Sequence, residues 1–298
     1  MTTSPLRPRR SFLCSATAGM MGAAMWGYDS SSVAAQQTPR KRTEFQLACM
    51  TLPYAGFPLK RALTGIAAAG YTFVAWGTTH RETPGGQRIP VMPTDASPDK
   101  ARELAGQCRD LGLEPLMMFS TVYPEADDGL SILTQRIKQA AAAGIRQVLT
   151  FGHTKGGNRK LWVDRFRKLG PIARDHGVLI VVKQHGGSTG TGQACAEIIR
   201  EVDDDGIKVN YDAGNVMDYL NVDPIPDIQK CADVVHSFCM KDHRNWPKDQ
   251  DCGPGPSPSP GGRCPCVART SLRHLSIARQ QLKASMRWPG RCVSICRP

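Results

Sequence analysis

A chain of 298 residues can bury a sizeable core, and 41% hydrophobic with 21% charged residues is ordinary for a soluble globular protein. The net charge of +12 suggests a nucleic-acid surface until it is located: residues 1–42 carry +5, residues 256–298 carry +8, and the body between them carries −1. A neutral body between basic ends lacks the folded basic face that a nucleic acid needs, which argues against such a partner. The cysteines total eleven, an odd number that argues against a fully paired disulfide framework. Cys264-Pro265-Cys266 and Cys292…Cys296 also lack the spacing and the nearby His pair of a zinc site.

Residues 1–35 read as an export leader. Arg9-Arg10-Ser11-Phe12-Leu13 resembles a twin-arginine pattern, a mild apolar run follows at 14–26, and Val33-Ala34-Ala35 offers small residues before a cut. The apolar run is too short and weak for a stable membrane span, so the expected destination is the periplasm. A basic linker, 36–43, leads into the domain at 44–255.

There, short apolar runs alternate with amphipathic segments. Strands are predicted at 45–50, 71–76, 113–119, 145–151, 178–183, 207–211 and 232–240. Helices are predicted between them at 58–69, from 97 to about 112, 132–143, 161–176 and 193–202. Ser97 followed by Pro98 marks one helix start, while Gly144 and Gly177 mark helix stops. Apolar strands alternating with helices predict a parallel sheet covered by helices, and seven units at about thirty-residue spacing favour an α/β (β/α)8 barrel over an open sheet. No GxGxxG follows the first strand, which weakens a dinucleotide-binding alternative.

After Gly255 the texture changes. Residues 256–298 contain no acid, are rich in Arg, Pro, Ser and Cys, and show no run like the earlier strands. The plain expectation is a disordered basic tail and a barrel lacking its last β/α unit. A sharper one is that a shifted reading frame has replaced the final helix, strand and helix.

The candidate site residues cluster at predicted strand ends, where parallel α/β proteins build their sites. Asp212 ends the sixth strand, serving either as a ligand or as the N-cap of the next helix. Lys183 ends the fifth; it either stabilises a substrate oxyanion or pairs with Asp212 across neighbouring strands. His185 follows it as a candidate metal ligand or substrate contact. The Gly186–Gly192 turn beyond is either a backbone cradle for an anion or a flexible loop. Lys241, Asp242 and His243 end the seventh strand, and by alternation Lys241 and His243 share a face that Asp242 does not. Trp76 and His80 are candidates for the floor and edge of a sugar pocket, though Trp76 fits core packing as well. His153 and Asn215 complete the set, while mid-strand His236 reads as a wall residue.

His153, Lys183-Gln184-His185-Gly186-Gly187, Tyr211-Asp212-Ala213-Gly214-Asn215 and Cys239-Met240-Lys241-Asp242-His243 together resemble the sugar phosphate isomerase/epimerase family, the xylose-isomerase-like TIM barrels. The resemblance spans about 45–255. It implies a divalent metal (Mn, Mg or Zn) at the barrel mouth, held after strands five to eight by Glu, Asp, His and Glu, and isomerisation or epimerisation of a sugar, sugar phosphate or polyol. The match is partial. Asp212 fits the strand-six ligand, Asn215 stands at a frequent His position, Lys183-Gln184-His185 replaces the strand-five Glu, and Cys239 replaces the strand-seven His, for which His243 is a substitute. The expectation is therefore an exported enzyme acting on a small carbohydrate, with Asp212, His185 and His243 as metal ligands. Lys183, His185 and Lys241 would do the chemistry, and Trp76, His80, His153 and Asn215 would hold substrate. The alternatives are a carbohydrate-binding or inactive barrel, and a hydrolase or lyase on the same scaffold.

Overall fold

Apolar residues that alternate with Gly- and Asx-rich breaks produce the predicted order of strands and helices. The computed structural model describes residues 45–240, together with the backbone of 243–244, 250–251 and 291–295. Its elements begin with β1 (Phe45–Met50), α1 (Leu59–Ala68), β2 (Phe73–Trp76) and a hairpin of β3 (Thr79–Arg81) and β4 (Arg88–Pro90). They continue through α2 (Pro98–Asp110), β5 (Glu114–Phe119), α3 (Gly129–Ala143), β6 (Gln147–Phe151), α4 (Arg159–Asp175), β7 (Leu179–Lys183) and α5 (Gly192–Val202). After these come β8 (Ile207–Asp212), α6 (Ala213–Leu220), α7 (Pro224–Gln229) and β9 (Val235–Met240), the paired β10 (His243–Arg244) and β11 (Gln250–Asp251), and β12 (Arg291–Ile295).

All seven predicted strands form. They close into a parallel barrel in the order β1-β12-β9-β8-β7-β6-β5-β2. From the tail, Arg291–Ile295 pairs at the eighth position, with Phe45 opposite Arg291 and Phe238 opposite Val293. Two unpaired strand edges, on β1 and β9, offer a row of backbone donors and acceptors that a short fifth-rate strand former can satisfy. The leader and linker, the tail at 252–290, and Lys241 and Asp242 lie outside the described residues. No helix among the described residues is long and apolar enough to cross a membrane.

The helix ends follow their sequence signals. Ser97 accepts from the Lys100 amide, Asn158 from Leu161 and Thr191 from Ala194, each capping its helix. Gly144 closes α3 in the left-handed region at φ 76°, where a side chain would be strained. A helix after Asp212 is expected and forms as α6, whereas the hairpin β3–β4 is absent from the predicted elements.

Side-chain alternation divides the core in two. Ala48, Met50, Ala75, Met117, Phe119, Leu149 and Val181 pack inside the barrel. Val74, Trp76, Met118, Val148, Ile180, Val182, Val209 and Tyr211 pack outward against the helices. This parity decides which strand-end residues reach the mouth.

Candidate active site at the barrel mouth

The inward face of β7 carries Leu179, Val181 and then Lys183; that of β8 carries Asn210 and then Asp212. Lys183 is paired to Asn210 in register, so the two strand ends meet. The Lys183 ammonium lies 3.4 Å from Asp212 Oδ2, and Asp212 is only 1% exposed. The ammonium also sits 5.0 Å from the centre of the Phe119 ring and 5.9 Å from that of Phe151. Asp212 Oδ1 accepts the Asn215 amide at 2.9 Å and so caps α6. Both structural readings of Asp212, cap and ion pair, are realised together.

Gln184 points the other way and fastens the two ends. Its Oε1 accepts the Asp212 amide at 2.8 Å, and its carbonyl accepts Asn215 Nδ2 at 2.7 Å. His185 lies between two groups: Nδ1 is 3.2 Å from the Gly152 carbonyl and Nε2 is 3.0 Å from the Tyr219 hydroxyl. A carbonyl only accepts, so Nδ1 carries the proton; in the neutral ring Nε2 then accepts from Tyr219. Lys183, His185, Asp212, Asn215, Tyr219 and Cys239 share one cavity of about 410 Å³, completed by Met50, Phe119, Arg88 and the 52–56 loop.

Three expected substrate contacts are not brought to this cavity. Ala75 faces the barrel interior, so Trp76 faces the helix layer, where it is 1% exposed in the outer core. His80 is a buried residue of the hairpin strand β3, with Nδ1 2.8 Å from the Phe57 carbonyl, and lines a separate cavity. His153 stacks on Tyr123 with ring centres 3.9 Å apart, and its Nε2 is 3.8 Å from Glu125. Lys241 lies outside the described residues, as does the side chain of His243. Tyr219 and Arg88 were missed. Tyr219 stands one helical turn after Asn215, a spacing from which it was readable, whereas the hairpin that delivers Arg88 has no local signature.

The Gly186–Gly192 turn is not an open anion cradle. The Ser188 amide bonds Gly156, Thr189 bonds Gly186, and Gly190 bonds Gly187. At the start of α5 the anion is the chain's own: Asp227 accepts from the Gly192 and Gln193 amides at 2.7 and 3.2 Å and from the Tyr211 hydroxyl at 3.0 Å. Burial, and then the charge of Asp227, raise the Tyr211 phenol well above its ordinary range, so it stays a donor. Gly187 has φ 53°, and a Cβ there would lie 2.3 Å from the Gly156 carbonyl. Gly187→Ala is therefore expected to cost at least ~2 kcal/mol by urea denaturation. Gly177→Ala, at φ 65° in open space, is expected to cost only ~1 kcal/mol.

Among the described residues the donor set does not fit a divalent cation; the side chain of His243, an expected ligand, lies outside them. Among the described residues no three His, Cys, Asp or Glu side chains converge. The strand-five position holds an ammonium 3.4 Å from Asp212, and His185 Nε2 is engaged with Tyr219. A cation at Asp212 would face that ammonium at close range, in a setting where like charges repel strongly.

A family model described as xylose isomerase-like TIM barrel matches residues 63–255. The chain belongs to that family. No curated protein matches it. Among solved structures, a xylose isomerase-like TIM barrel protein from Mycobacterium smegmatis in complex with magnesium is 16% identical, covers 84% of this chain and 89% of its own, and has a TM-score of 0.62. IOLI protein with a binding zinc atom is 16% identical, covers 85% of this chain and 90% of its own, and has a TM-score of 0.60. D-psicose 3-epimerase in the presence of D-fructose is 10% identical, covers 84% of both chains, and has a TM-score of 0.58. At these identities the likeness is one of fold. The described mouth of this chain carries a lysine–aspartate pair.

Proposed function

We propose that this member binds a small sugar or polyol at the barrel mouth and moves a proton beside its carbonyl, as an isomerase or epimerase. Lys183 supplies the positive charge. The observation that carries this reading is the 3.4 Å pair of Lys183 and Asp212 inside a cavity of about 410 Å³. A substrate carbonyl oxygen hydrogen-bonded to the ammonium would gain stabilisation as it becomes an enediolate oxygen. Asp212 Oδ2 would accept the proton from the neighbouring carbon, the C–H pair becoming the carbon–carbon double bond and the carbonyl pair moving onto oxygen. Returning that proton to the adjacent carbon isomerises the sugar. His185 and Tyr219, already hydrogen-bonded to each other, are placed to exchange a hydroxyl proton.

The test is deuterium wash-in from heavy water on a panel of ketoses and aldoses, read by mass spectrometry. Lys183→Met is expected to reduce exchange by ~100-fold or more, the size typical for loss of one oxyanion stabiliser. No exchange on any sugar by the wild type overturns the proposal. It then favours a second reading, a carbohydrate-binding barrel without catalysis, for which the specific support is that Asp212 is the mouth's sole carboxylate among the described residues lining it.

A further inference from the structure

Beside the mouth, across Phe119, lies a second cavity of about 240 Å³, roughly eight times the ~30 Å³ share of a water molecule in the liquid. Its walls include Thr78, Thr79, Thr94, Thr121 and Arg136 from α3. Arg136 is 5% exposed, which is unusual for an arginine without an acid partner. Its Nη1 donates to the carbonyls of Met92 and Pro93 at 2.7 and 3.4 Å and to Gln139 Oε1 at 2.9 Å. The other edge is different: among the described residues Nε, which is buried, has no acceptor, and Nη2 makes no hydrogen bond. No carboxylate among the described residues pairs with it, and desolvation lowers its pKa with no counter-charge to offset the effect. Asp95 lies on the exposed rim of the cavity without pairing to Arg136.

A buried guanidinium costs several kcal/mol unless its charge is answered, and carbonyl dipoles on one edge answer only part of it. Nε is enclosed by protein, so Nη2 is the end of the guanidinium left to donate to a carboxylate or a phosphate. Hydroxyls around it can donate to the remaining oxygens. The surroundings are those of a small oxyanion.

We propose that this cavity is a binding site for an oxyanion, free or as the phosphoryl or carboxylate group of a ligand, held by Arg136 and the surrounding threonines. The site is separate from the Lys183–Asp212 pair, so it stands or falls independently of the reaction at the mouth. Gln135 and Gln139, which hold the Ala96 and Pro93 carbonyls, fix the segment that closes over it.

The experiment uses the full chain, purified in chloride alone. Inorganic phosphate is titrated by calorimetry and by thermal melting, against sodium chloride at equal ionic strength. A saturable site of one per chain is expected, with a melting temperature that rises with phosphate and not with chloride. Arg136→Gln is expected to weaken phosphate binding at least ~tenfold, and Arg136→Lys, which keeps charge but not the fork, by an intermediate factor. Should Arg136→Gln fail to fold, Thr94→Val/Thr121→Val leaves every bond of Arg136 in place and is expected to weaken binding by ~threefold or more. Fructose 6-phosphate, with fructose as control, distinguishes the sources. Equal affinity of ester and inorganic phosphate indicates a site for the free anion, and a tighter ester indicates one ligand reaching both cavities. Chloride and phosphate acting alike, or Arg136→Gln and the threonine pair both binding as the wild type, overturns the proposal.

Discussion

Asp212→Ala is expected to destabilise the barrel by about 3 kcal/mol, the low end for breaking a buried ion pair by removing one partner. It deletes the carboxylate 3.4 Å from the Lys183 ammonium and the cap on the Asn215 amide at once. The cap alone accounts for ~1 kcal/mol. Lys183→Met/Asp212→Asn separates the two effects, because the asparagine oxygen still accepts the Asn215 amide while both charges are gone. That double variant should lie within ~1 kcal/mol of the wild type, since a buried pair replaced as a unit costs little. Urea denaturation of both proteins provides the comparison. If the double variant is as unstable as Asp212→Ala, the charge pair is not what holds the two strand ends together.

The second large effect lies at the start of α5. Asp227→Ala is expected to cost about 3–5 kcal/mol, because a buried carboxylate there answers two helix amides and the Tyr211 hydroxyl together. Removing it strands the buried Gly192 amide and the half-buried Gln193 amide, while the Tyr211 hydroxyl keeps the Pro224 carbonyl at 2.9 Å. Asp227→Asn keeps one accepting oxygen and is expected to cost roughly half as much. Tyr211→Phe is expected to cost less in the alanine background than in the wild type, since the hydroxyl has already lost one of its two acceptors there. Measured denaturation free energies that add independently for Asp227→Ala and Tyr211→Phe would count against the shared network.

Much of the fold was readable from local pattern. The run Leu179–Lys183, apolar until its last residue, reads as a strand, and its parity is visible once one residue is known to face inward. Ser97-Pro98 and Gly144 stand where the helices begin and end. The same logic located Lys183, His185, Asp212 and Asn215 together at the mouth. For Trp76 it left pocket floor and core packing both open, because an aromatic at a strand end fits either face and only the parity of Ala75 decides for the core. It failed for His80 because the hairpin that contains it carries no local turn signal strong enough to be read.

By itself the sequence determined the alternation of strand and helix, the helix ends, and the polar clusters at the fifth and sixth barrel strands. Each of these is a property of neighbours along the chain: side-chain period, capping chemistry, glycine's tolerance of positive φ. Only the tertiary structure decided three other things. Lys183 pairs with Asp212 because strand register brings Lys183 beside Asn210. Residues 291–295 become the eighth strand because two open edges need a partner. Arg136 keeps one edge of its guanidinium without an acceptor among the described residues because α3 packs it against a cavity. These depend on contacts between segments far apart in sequence, where register and burial, rather than local preference, set the free energy.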